Sequence, residues 1–200
     1  MKASLPYKIG RPLFYWFFKI ILGLKVEGLN NVPRKGGLII APNHRSNYDP
    51  PIIGSVINFR PVYFLAKKGL FINKTVSAVL KSVNAIPVDT EKPGVEVMKK
   101  FINLLKNGEA VIVFPEGRRS LTNEFLPPEP GVGYLSIKTG APIVPTLIIG
   151  THESMLNHFL RKSPLFVKFG KPIYPDKEKP TIKNSKTLSE KTMEEIKSLM

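Results

Sequence analysis

The fold class that this sequence predicts is an α/β domain with a largely parallel or mixed central sheet flanked by helices. Short apolar stretches typical of buried strands alternate with stretches whose apolar residues recur at helical spacing. Proline and glycine separate these stretches, and the one linker-like stretch, 174–186, lies too near the end to divide two domains. We therefore expect a single domain with its functional groups in loops beyond the carboxyl ends of the strands.

The predicted strands are continuous apolar stretches, as is typical of strands buried on both faces of a sheet. Two of them run directly into stretches rich in polar and charged residues, which makes those loops candidates for a functional site. The strands are expected at 37–41, 61–66, 84–88, 110–114, 143–149 and 165–169.

The predicted helices lie between these strands. Asp49 is the expected N-cap of a helix that runs through Ile57, because Pro50 and Pro51 fit its first turn. The other helices are expected at 70–81, at 95–105 and from residue 188 to the end.

Charge and composition narrow the function classes. The 200 residues contain 30 Lys and Arg against 15 Asp and Glu, a formal net charge of +15. Such a charge indicates an anionic partner: nucleic acid, an anionic membrane or a phosphorylated small molecule. There is no cysteine, which excludes disulfides and zinc–thiolate sites and favours a reducing compartment.

Residues 1–25 form an apolar and basic segment that is predicted to associate with a membrane, ahead of the α/β domain at 26–200. A helix over 12–24 would be apolar nearly all round and about 20 Å long, against about 30 Å for the hydrocarbon core of a bilayer. It is too short to span, and its basic flanks and Trp16 fit the headgroup boundary. A core helix docked on the domain is the alternative.

The first polar loop, 43–50, contains a histidine and a carboxylate five residues apart, His44 and Asp49. Histidine can act as a base at neutral pH, and a carboxylate beside it would fix its tautomer and stabilise the imidazolium. This pair is a candidate catalytic dyad. The structural alternative is that Asp49 only caps a helix and that His44 only ends a strand.

The second polar loop, 114–120, follows an apolar strand and reads Phe-Pro-Glu-Gly-Arg-Arg-Ser. Arg118 and Arg119 can make charge-assisted contacts to phosphate, and Gly117 would allow a ligand to approach the backbone closely. The alternative is a solvated turn in which Glu116 forms an ion pair with an arginine.

The N-H-x4-D and F-P-E-G-x-R-S stretches together resemble the signature of the glycerolipid acyltransferases, in particular those that acylate 1-acylglycerol 3-phosphate. The similarity extends from about residue 26 to 171 and includes 64–68, 85–89 and 141–146 with 150–151. The chain departs from the family pattern at Arg118, where threonine is common, and at Thr90, where arginine is frequent. Pro130 also precedes Gly131, where the family usually has a lysine.

This resemblance implies a reaction and roles for particular residues. His44 would be the general base for the glycerol sn-2 hydroxyl and Asp49 its orienting partner, with no acyl-enzyme. Glu116 and Gly117 would form part of the acceptor site, and Lys67 would hold the acceptor phosphate with Arg119, beside the additional charge of Arg118.

The same resemblance implies the partners. The donor would be a thioester of acyl carrier protein or coenzyme A, the acceptor lysophosphatidic acid and the product phosphatidic acid. No cofactor, metal or nucleic acid is expected. The protein is expected at the cytoplasmic face of the cell membrane, as a peripheral or monotopic protein.

Three other functions remain open from the sequence. A different acceptor, such as glycerol 3-phosphate or another lysolipid, would use the same chemistry. A metal-dependent hydrolase could use His44, Asp49, His152 and His158, although no metal-ligand motif is present. A basic module that binds nucleic acid or membrane would explain the charge but not the two motifs.

Overall fold

A computed structural model describes residues 5–88, 95–122, 124–160 and 162–200. Asp89 and Thr90, which follow the third predicted strand and belong to the comparison with the family pattern, lie outside these residues. The described chain forms a single α/β domain around a seven-stranded mixed sheet with strand order β1-β7-β6-β2-β5-β3-β4. Neighbouring strands are parallel except for β6 and β7, which are antiparallel. The predicted fold class is confirmed.

The strands lie close to the predicted stretches, with one shorter than expected and one that the sequence did not reveal. Strand β5 ends before Val113 and Phe114, which enter the functional loop. The strands are β1 Lys25–Glu27, β2 Leu38–Pro42, β3 Val62–Lys67, β4 Ala85–Val88, β5 Ala110–Ile112, β6 Ile143–Ile149 and β7 Phe166–Phe169.

Seven α-helices accompany the sheet among the described residues. A π-helical turn, Phe17–Ile21, follows the first helix, and short 3-10 turns lie at Leu29–Asn31 and Lys68–Leu70. The helices are α1 Leu5–Trp16, α2 Asp49–Val56, α3 Lys74–Ser82, α4 Val95–Lys106, α5 Gly131–Thr139, α6 Met155–Phe159 and α7 Ile182–Ser198.

Helices cover both faces of the sheet, which explains why its central strands, such as β2 and β5, are apolar at every position. In β2, Leu38 and Ile40 belong to a core shared with α1, α2 and the end of α3, whereas Ile39 and Ala41 face the core shared with α4 and α5. All four are fully buried. Alternate side chains point to opposite faces of a strand, so a sheet covered on both sides needs an apolar residue at every position.

Several helix boundaries differ from the sequence predictions. Helix α7 begins at Ile182 rather than at residue 188, because Thr181 and Asn184 form a reciprocal capping box that the sequence reading overlooked. The predicted helix over 70–81 is instead the 3-10 turn followed by α3, whose Asn73 cap accepts a hydrogen bond from the Val76 N–H. Helix α5 was not predicted, since its first turn contains Gly131 and Gly133, which are poor helix formers.

The N-terminal segment begins and ends earlier than the predicted 12–24 helix, and it has two distinct faces. Tyr7, Phe18 and Leu22 are buried against the domain, where α1 packs on α2 and α3. The other face is apolar and exposed. It consists of Ile9, Leu13, Trp16, Phe17, Ile20 and Ile21. In the described part of the chain, no helix combines the length and hydrophobicity that a membrane crossing requires.

Candidate active site

The candidate site lies at the carboxyl edge of the sheet, where the loops after β2 and β5 meet. Strands β2 and β5 are parallel neighbours, with Ile40 paired to Ile112, so the chain leaves both strands at the same edge. His44 lies in the loop just after β2, and Glu116 lies in the loop after β5. The backbone carbonyl of His44 also accepts a hydrogen bond from the Ser120 N–H, at 3.0 Å. The two motifs that are seventy residues apart in sequence therefore form one site.

His44 and Asp49 are in direct contact. The His44 Nδ1 lies 2.8 Å from Asp49 Oδ2, and the Asp49 carboxylate is fully buried. Because the carboxylate accepts from Nδ1–H, the other ring nitrogen, Nε2, carries the lone pair. This is the tautomer that a general base requires.

Asp49 is not the N-cap of α2, so that prediction was wrong. It is the first residue of the helix, after Tyr48 at the cap position. Its Oδ2 accepts from the backbone N–H groups of Arg45 and Ser46, at 2.7 and 2.8 Å, in addition to the imidazole. The carboxylate reaches back into the preceding loop because Pro50 and Pro51 in the first turn have no N–H of their own to offer it. It therefore holds the whole 44–49 loop around the histidine.

The imidazole of His44 is also held from one side by an aromatic ring. The rings of His44 and Phe114 stack with centroids 3.7 Å apart and an angle of 17° between their planes. The His44 side chain remains 16% exposed. Stacking fixes the plane of the imidazole, while the hydrogen bond to Asp49 fixes its rotation within that plane.

Glu116 joins the two loops. Its carboxylate is buried, and Oε1 accepts from the His44 N–H at 2.9 Å while Oε2 accepts from the Leu126 N–H at 3.0 Å. The alternative in which Glu116 forms an ion pair with Arg118 or Arg119 does not hold among the described residues. Each carboxylate oxygen instead satisfies a backbone donor that would otherwise be left without a partner.

Gly117 has a backbone conformation that favours glycine. Its φ is 65°, and a Cβ there would lie 3.2 Å from the Glu129 side chain. The turn is closed by the Gly117 N–H donating to the Phe114 carbonyl, at 3.1 Å. A side chain at this position would be strained as well as crowded.

The predicted phosphate-binding residues are exposed around this centre. Arg118 and Arg119 have no hydrogen-bond or ion-pair partner in the part of the chain that the structure describes. Lys67 is exposed at the carboxyl end of β3, the strand on the far side of β5 from β2. Because β3 and β5 are parallel neighbours, Lys67 and the two arginines leave the sheet at the same edge as the His44 loop.

Two cavities adjoin the two loops. A polar cavity of about 660 Å³ lies between the loops after β2, β5 and β6, with Arg45, Arg119 and His152 in its walls. An apolar cavity of about 470 Å³ lies between the sheet and helices α4 and α5, and Phe114 and Gly117 contribute to its lining. The site therefore has one polar and one apolar compartment beside the histidine.

Three residues of this site had no role in the sequence reading. Asn43 exchanges two hydrogen bonds with the Ile148 backbone, at 2.8 and 3.0 Å, and so ties the His44 loop to β6. Ser120 donates from Oγ to the Glu124 carbonyl at 2.8 Å, and Arg45 donates to Ser120 and to the Thr122 carbonyl. An amide directly after a buried strand was a usable signal for Asn43. The contact between Arg45 and Ser120 could not be predicted, because the two residues are far apart in the sequence and no local pattern links them.

The other histidines do not join His44. His158 is buried and its ring nitrogens face the carbonyls of Gly150 and Ser163, at 2.9 and 3.0 Å. His152 is half-exposed beside Glu153, with Nε2 3.3 Å from Oε1. Across residues 5–88, 95–122, 124–160 and 162–200, no group of three histidine or carboxylate side chains is placed to hold a metal ion. This arrangement gives no support to the hydrolase alternative.

A buried carboxylate–histidine pair at the strand ends of an α/β sheet, with exposed arginines in the neighbouring loop, is an arrangement suited to an enzyme that activates a hydroxyl near an anionic group. Comparison with known proteins identifies the family. The model of the acyltransferase family matches residues 23–149, and the chain belongs to that family.

Its relatives include the 1-acyl-sn-glycerol-3-phosphate acyltransferase of Bacillus subtilis, 34% identical over 78% of each chain. A probable 1-acyl-sn-glycerol-3-phosphate acyltransferase of Mycoplasma genitalium is 28% identical over 86% of this chain and 72% of its own. The crystal structure of PlsC, the 1-acyl-sn-glycerophosphate acyltransferase of Thermotoga maritima, superposes with a TM-score of 0.70 at 26% identity. That match covers 97% of this chain and 78% of the other.

Proposed function

We propose that this enzyme transfers a fatty acyl group from a thioester donor to the sn-2 hydroxyl of 1-acylglycerol 3-phosphate, giving phosphatidic acid. The donor is acyl carrier protein or coenzyme A carrying the acyl group. The observation that carries the proposal is the hydrogen bond between His44 Nδ1 and Asp49 Oδ2, because it leaves Nε2 ready to accept a proton. The substrate follows from the names of the relatives in the same family.

The reaction needs no covalent intermediate on the protein. His44 Nε2 takes the proton of the acceptor hydroxyl as its oxygen attacks the thioester carbonyl carbon. The tetrahedral intermediate collapses with cleavage of the carbon–sulfur bond, and the imidazolium returns the proton to the departing thiolate. Asp49 stabilises the imidazolium between these steps, and a base of this kind contributes about 10²–10⁴-fold to the rate.

Glu116 and Phe114 support this step by holding His44. Glu116 fixes the His44 backbone through Oε1, and Phe114 fixes the plane of the imidazole. A contact between Glu116 and the acceptor remains part of the proposal. Because both of its oxygens already accept backbone hydrogen bonds, such a contact would use their remaining lone pairs.

The acceptor is held by its phosphate and its acyl chain. Arg118, Arg119 and Lys67 are exposed cationic residues at the same edge of the sheet as the His44 loop, and arginine binds phosphate through paired, charge-assisted hydrogen bonds. Gly117 lets the backbone turn between Glu116 and these arginines and adjoins the apolar cavity. That cavity offers an apolar compartment for an acyl chain next to the reacting atoms.

We propose that the N-terminal segment binds the enzyme to the cytoplasmic face of an anionic membrane, which would contain its lipid acceptor. The exposed apolar residues recur along α1 and the π-helical turn at helical spacing, and Lys8 and Lys19 are exposed beside them. Ile72 and Val79, which precede or belong to the neighbouring helix α3, are also exposed apolar residues. An apolar face with cationic neighbours binds the interface of a bilayer that contains anionic lipid.

The test is transfer of a radiolabelled acyl group to lysophosphatidic acid by wild type and His44→Ala, in liposomes. Phosphatidic acid should form with wild type, and kcat for His44→Ala should fall by about 10²–10⁴-fold while acceptor KM changes little. Lys138→Ala is a matched control, because this exposed residue lies at the end of α5 that leads to the opposite edge of the sheet. An equal rate for His44→Ala would exclude the histidine as base.

Parallel assays with glycerol 3-phosphate and with other lysolipids test the alternative acceptors. A higher kcat/KM for one of them would keep the chemistry and replace the acceptor. Comparison of acyl carrier protein with coenzyme A thioesters assigns the donor in the same experiment.

A further inference from the structure

We propose that the polar cavity beside His44 is a phosphate-ester subsite in which Arg45 and His152 act together with Arg119. This inference rests on the proposed function and adds Arg45 and His152 to its binding residues. The ligand is the phosphate of one of the two substrates, either the acceptor headgroup or the donor's pantetheine arm. Both substrates carry a phosphate ester, and both must reach His44.

The cavity is formed where three loops meet at the carboxyl edge of the sheet. The loop after β2 contributes Arg45 and its neighbours up to Tyr48, the loop after β5 contributes Arg119 and the residues up to Thr122, and the loop after β6 contributes 151–153. The first of these loops contains His44 and Asp49. A ligand in this cavity of about 660 Å³ would therefore lie against the loop that carries the catalytic pair.

Charge makes the cavity suited to an anion. Two arginines stand in its walls against one carboxylate, that of Glu153, which is already 3.3 Å from His152 Nε2. Hydroxyl groups of Ser46, Tyr48 and Thr122 add hydrogen-bond donors around the same space. Guanidinium and hydroxyl groups together form the donor set that recognises phosphate oxygens.

Arg45 is held in place at the cavity wall before any ligand binds. Its Nη1 donates to Ser120 Oγ at 3.2 Å and to the Thr122 carbonyl, and its guanidinium lies 5.2 Å from the centre of the Phe125 ring. A side chain that is already ordered loses less conformational entropy on binding than a flexible surface cation does. Arg45 is thus a preorganised part of the cavity.

Thr151 supplies an independent sign that the cavity takes a polar ligand. It lines the cavity, is only 6% exposed, and its Oγ1 is buried without a hydrogen-bond partner among the described residues. Buried hydroxyl groups almost always have partners in native proteins. A phosphate oxygen in the cavity would provide one once the Thr151 side chain rotates to turn its hydroxyl towards the cavity.

The experiment uses Arg45→Gln and His152→Ala in the full chain, with Lys138→Ala as the control. Donor and acceptor KM are measured separately, and the affinities of matched ligands are measured by calorimetry: coenzyme A against pantetheine, and glycerol 3-phosphate against glycerol. Each variant should weaken the phosphate-bearing ligand of one pair, by roughly 10- to 100-fold for Arg45→Gln, since a charge-assisted hydrogen bond is lost. Its partner without phosphate should be unaffected.

The possible outcomes distinguish a donor phosphate from an acceptor phosphate, and both from a result that contradicts the inference. A loss confined to coenzyme A and donor KM assigns the cavity to the donor, whereas a loss confined to glycerol 3-phosphate and acceptor KM assigns it to the acceptor. If kcat falls while both KM values and all four affinities stay unchanged, Arg45 only supports the loop and the inference is wrong. Undetectable binding of both phosphate ligands to wild type would overturn it equally.

Failure of the proposed function has a different signature. Wild type would then transfer no acyl group from either donor to lysophosphatidic acid. Phosphate-dependent binding that is sensitive to Arg45→Gln would in that case still establish the subsite, because calorimetry needs no turnover.

Discussion

The loop that contains His44 and the N-terminal segment are both attached to the same domain, but different forces hold them. In the loop, Asp49 alone accepts three hydrogen bonds through Oδ2, and Asn43 and Glu116 fix the backbone on either side. In the segment, Tyr7, Phe18 and Leu22 bury apolar area against the core. Hydrogen bonds to buried groups specify positions, whereas apolar burial is non-directional and scales with area.

This difference decides which substitutions each region tolerates. Loss of one polar partner in the loop leaves several buried groups unsatisfied at once. In the segment, the buried and exposed faces are separable, so one of them can change without the other.

The largest effect on activity is expected from substitution of Asp49, which accepts hydrogen bonds from three residues of the loop. In Asp49→Ala, the imidazole loses its orienting partner and the N–H groups of Arg45 and Ser46 lose their acceptor. We expect kcat to fall by as much as about 10⁴-fold and the loop to lose about 1–3 kcal/mol for each unsatisfied donor. Single-turnover assays and urea unfolding measure the two losses. Wild-type kcat in Asp49→Asn would show that the charge is dispensable.

Substitutions on the two faces of the N-terminal segment should differ most in their effect on stability at two adjacent phenylalanines. Phe18 is 2% exposed in the core and Phe17 is 40% exposed. Phe18→Ala should destabilise the domain by about 3–5 kcal/mol, because it leaves a cavity. Phe17→Ala should cost about 1 kcal/mol or less. Urea unfolding of both variants measures the difference, and equal losses would mean that the segment has no distinct exposed face.

Membrane binding should depend on the exposed face alone. The triple substitution Leu13→Ser, Trp16→Ser, Ile20→Ser removes exposed apolar side chains, each worth up to about 1.5–3 kcal/mol when buried in lipid. Co-sedimentation with anionic liposomes should fall at least tenfold, while unfolding in urea stays at the wild-type midpoint. Unchanged sedimentation would mean that this face does not contact the bilayer.

Deletion of the entire segment would be a poorer test than this triple substitution. Phe18, Leu22 and Leu24 are part of the core, so their removal would also weaken the fold.

The smallest effect on stability is expected at high pH, from ionisation of Tyr7, whose buried side chain helps to attach α1 to the domain. Burial raises the pKa of the Tyr7 phenol above its ordinary value of 10.0, although the Val62 N–H and the charge of Arg11 act in the opposite direction. The folded state therefore prefers the neutral phenol, and this contribution is complete below the pKa of the unfolded chain. It is lost as the pH rises through the higher folded pKa.

Thermal unfolding at about pH 9 and about pH 11 checks this expectation. Wild type should lose more stability between the two values than Tyr7→Phe, which has no phenol to ionise. Some alkaline loss should remain in that variant, because burial also raises the pKa of Tyr63. Identical losses in both proteins would mean that Tyr7 ionises as readily in the folded state as in the unfolded state.

The fold could be predicted from the sequence where a whole strand is buried and its apolar residues are consecutive. Strands such as β2 and β5 are apolar at every position because helices cover both faces of the sheet, and this pattern can be recognised without knowing which strands are neighbours. Strand β1 and helix α5 were missed for the opposite reason. Lys25–Glu27 is a short strand at the sheet edge, and Gly133 stands in α5 because the Ser185 backbone approaches it closely.

The sequence by itself determined the α/β fold class, the two polar loops and the candidate residues His44, Asp49, Glu116 and the two arginines, because apolar patterning and motif spacing are local properties. Only the tertiary structure decided what these residues touch. It made Asp49 an acceptor for the loop rather than a helix cap, occupied both oxygens of Glu116, and gave the N-terminal segment a buried and an exposed face. Contacts of this kind depend on which strands lie side by side, and the pairing of β2 with β5 across seventy residues is set by the packing of the whole sheet.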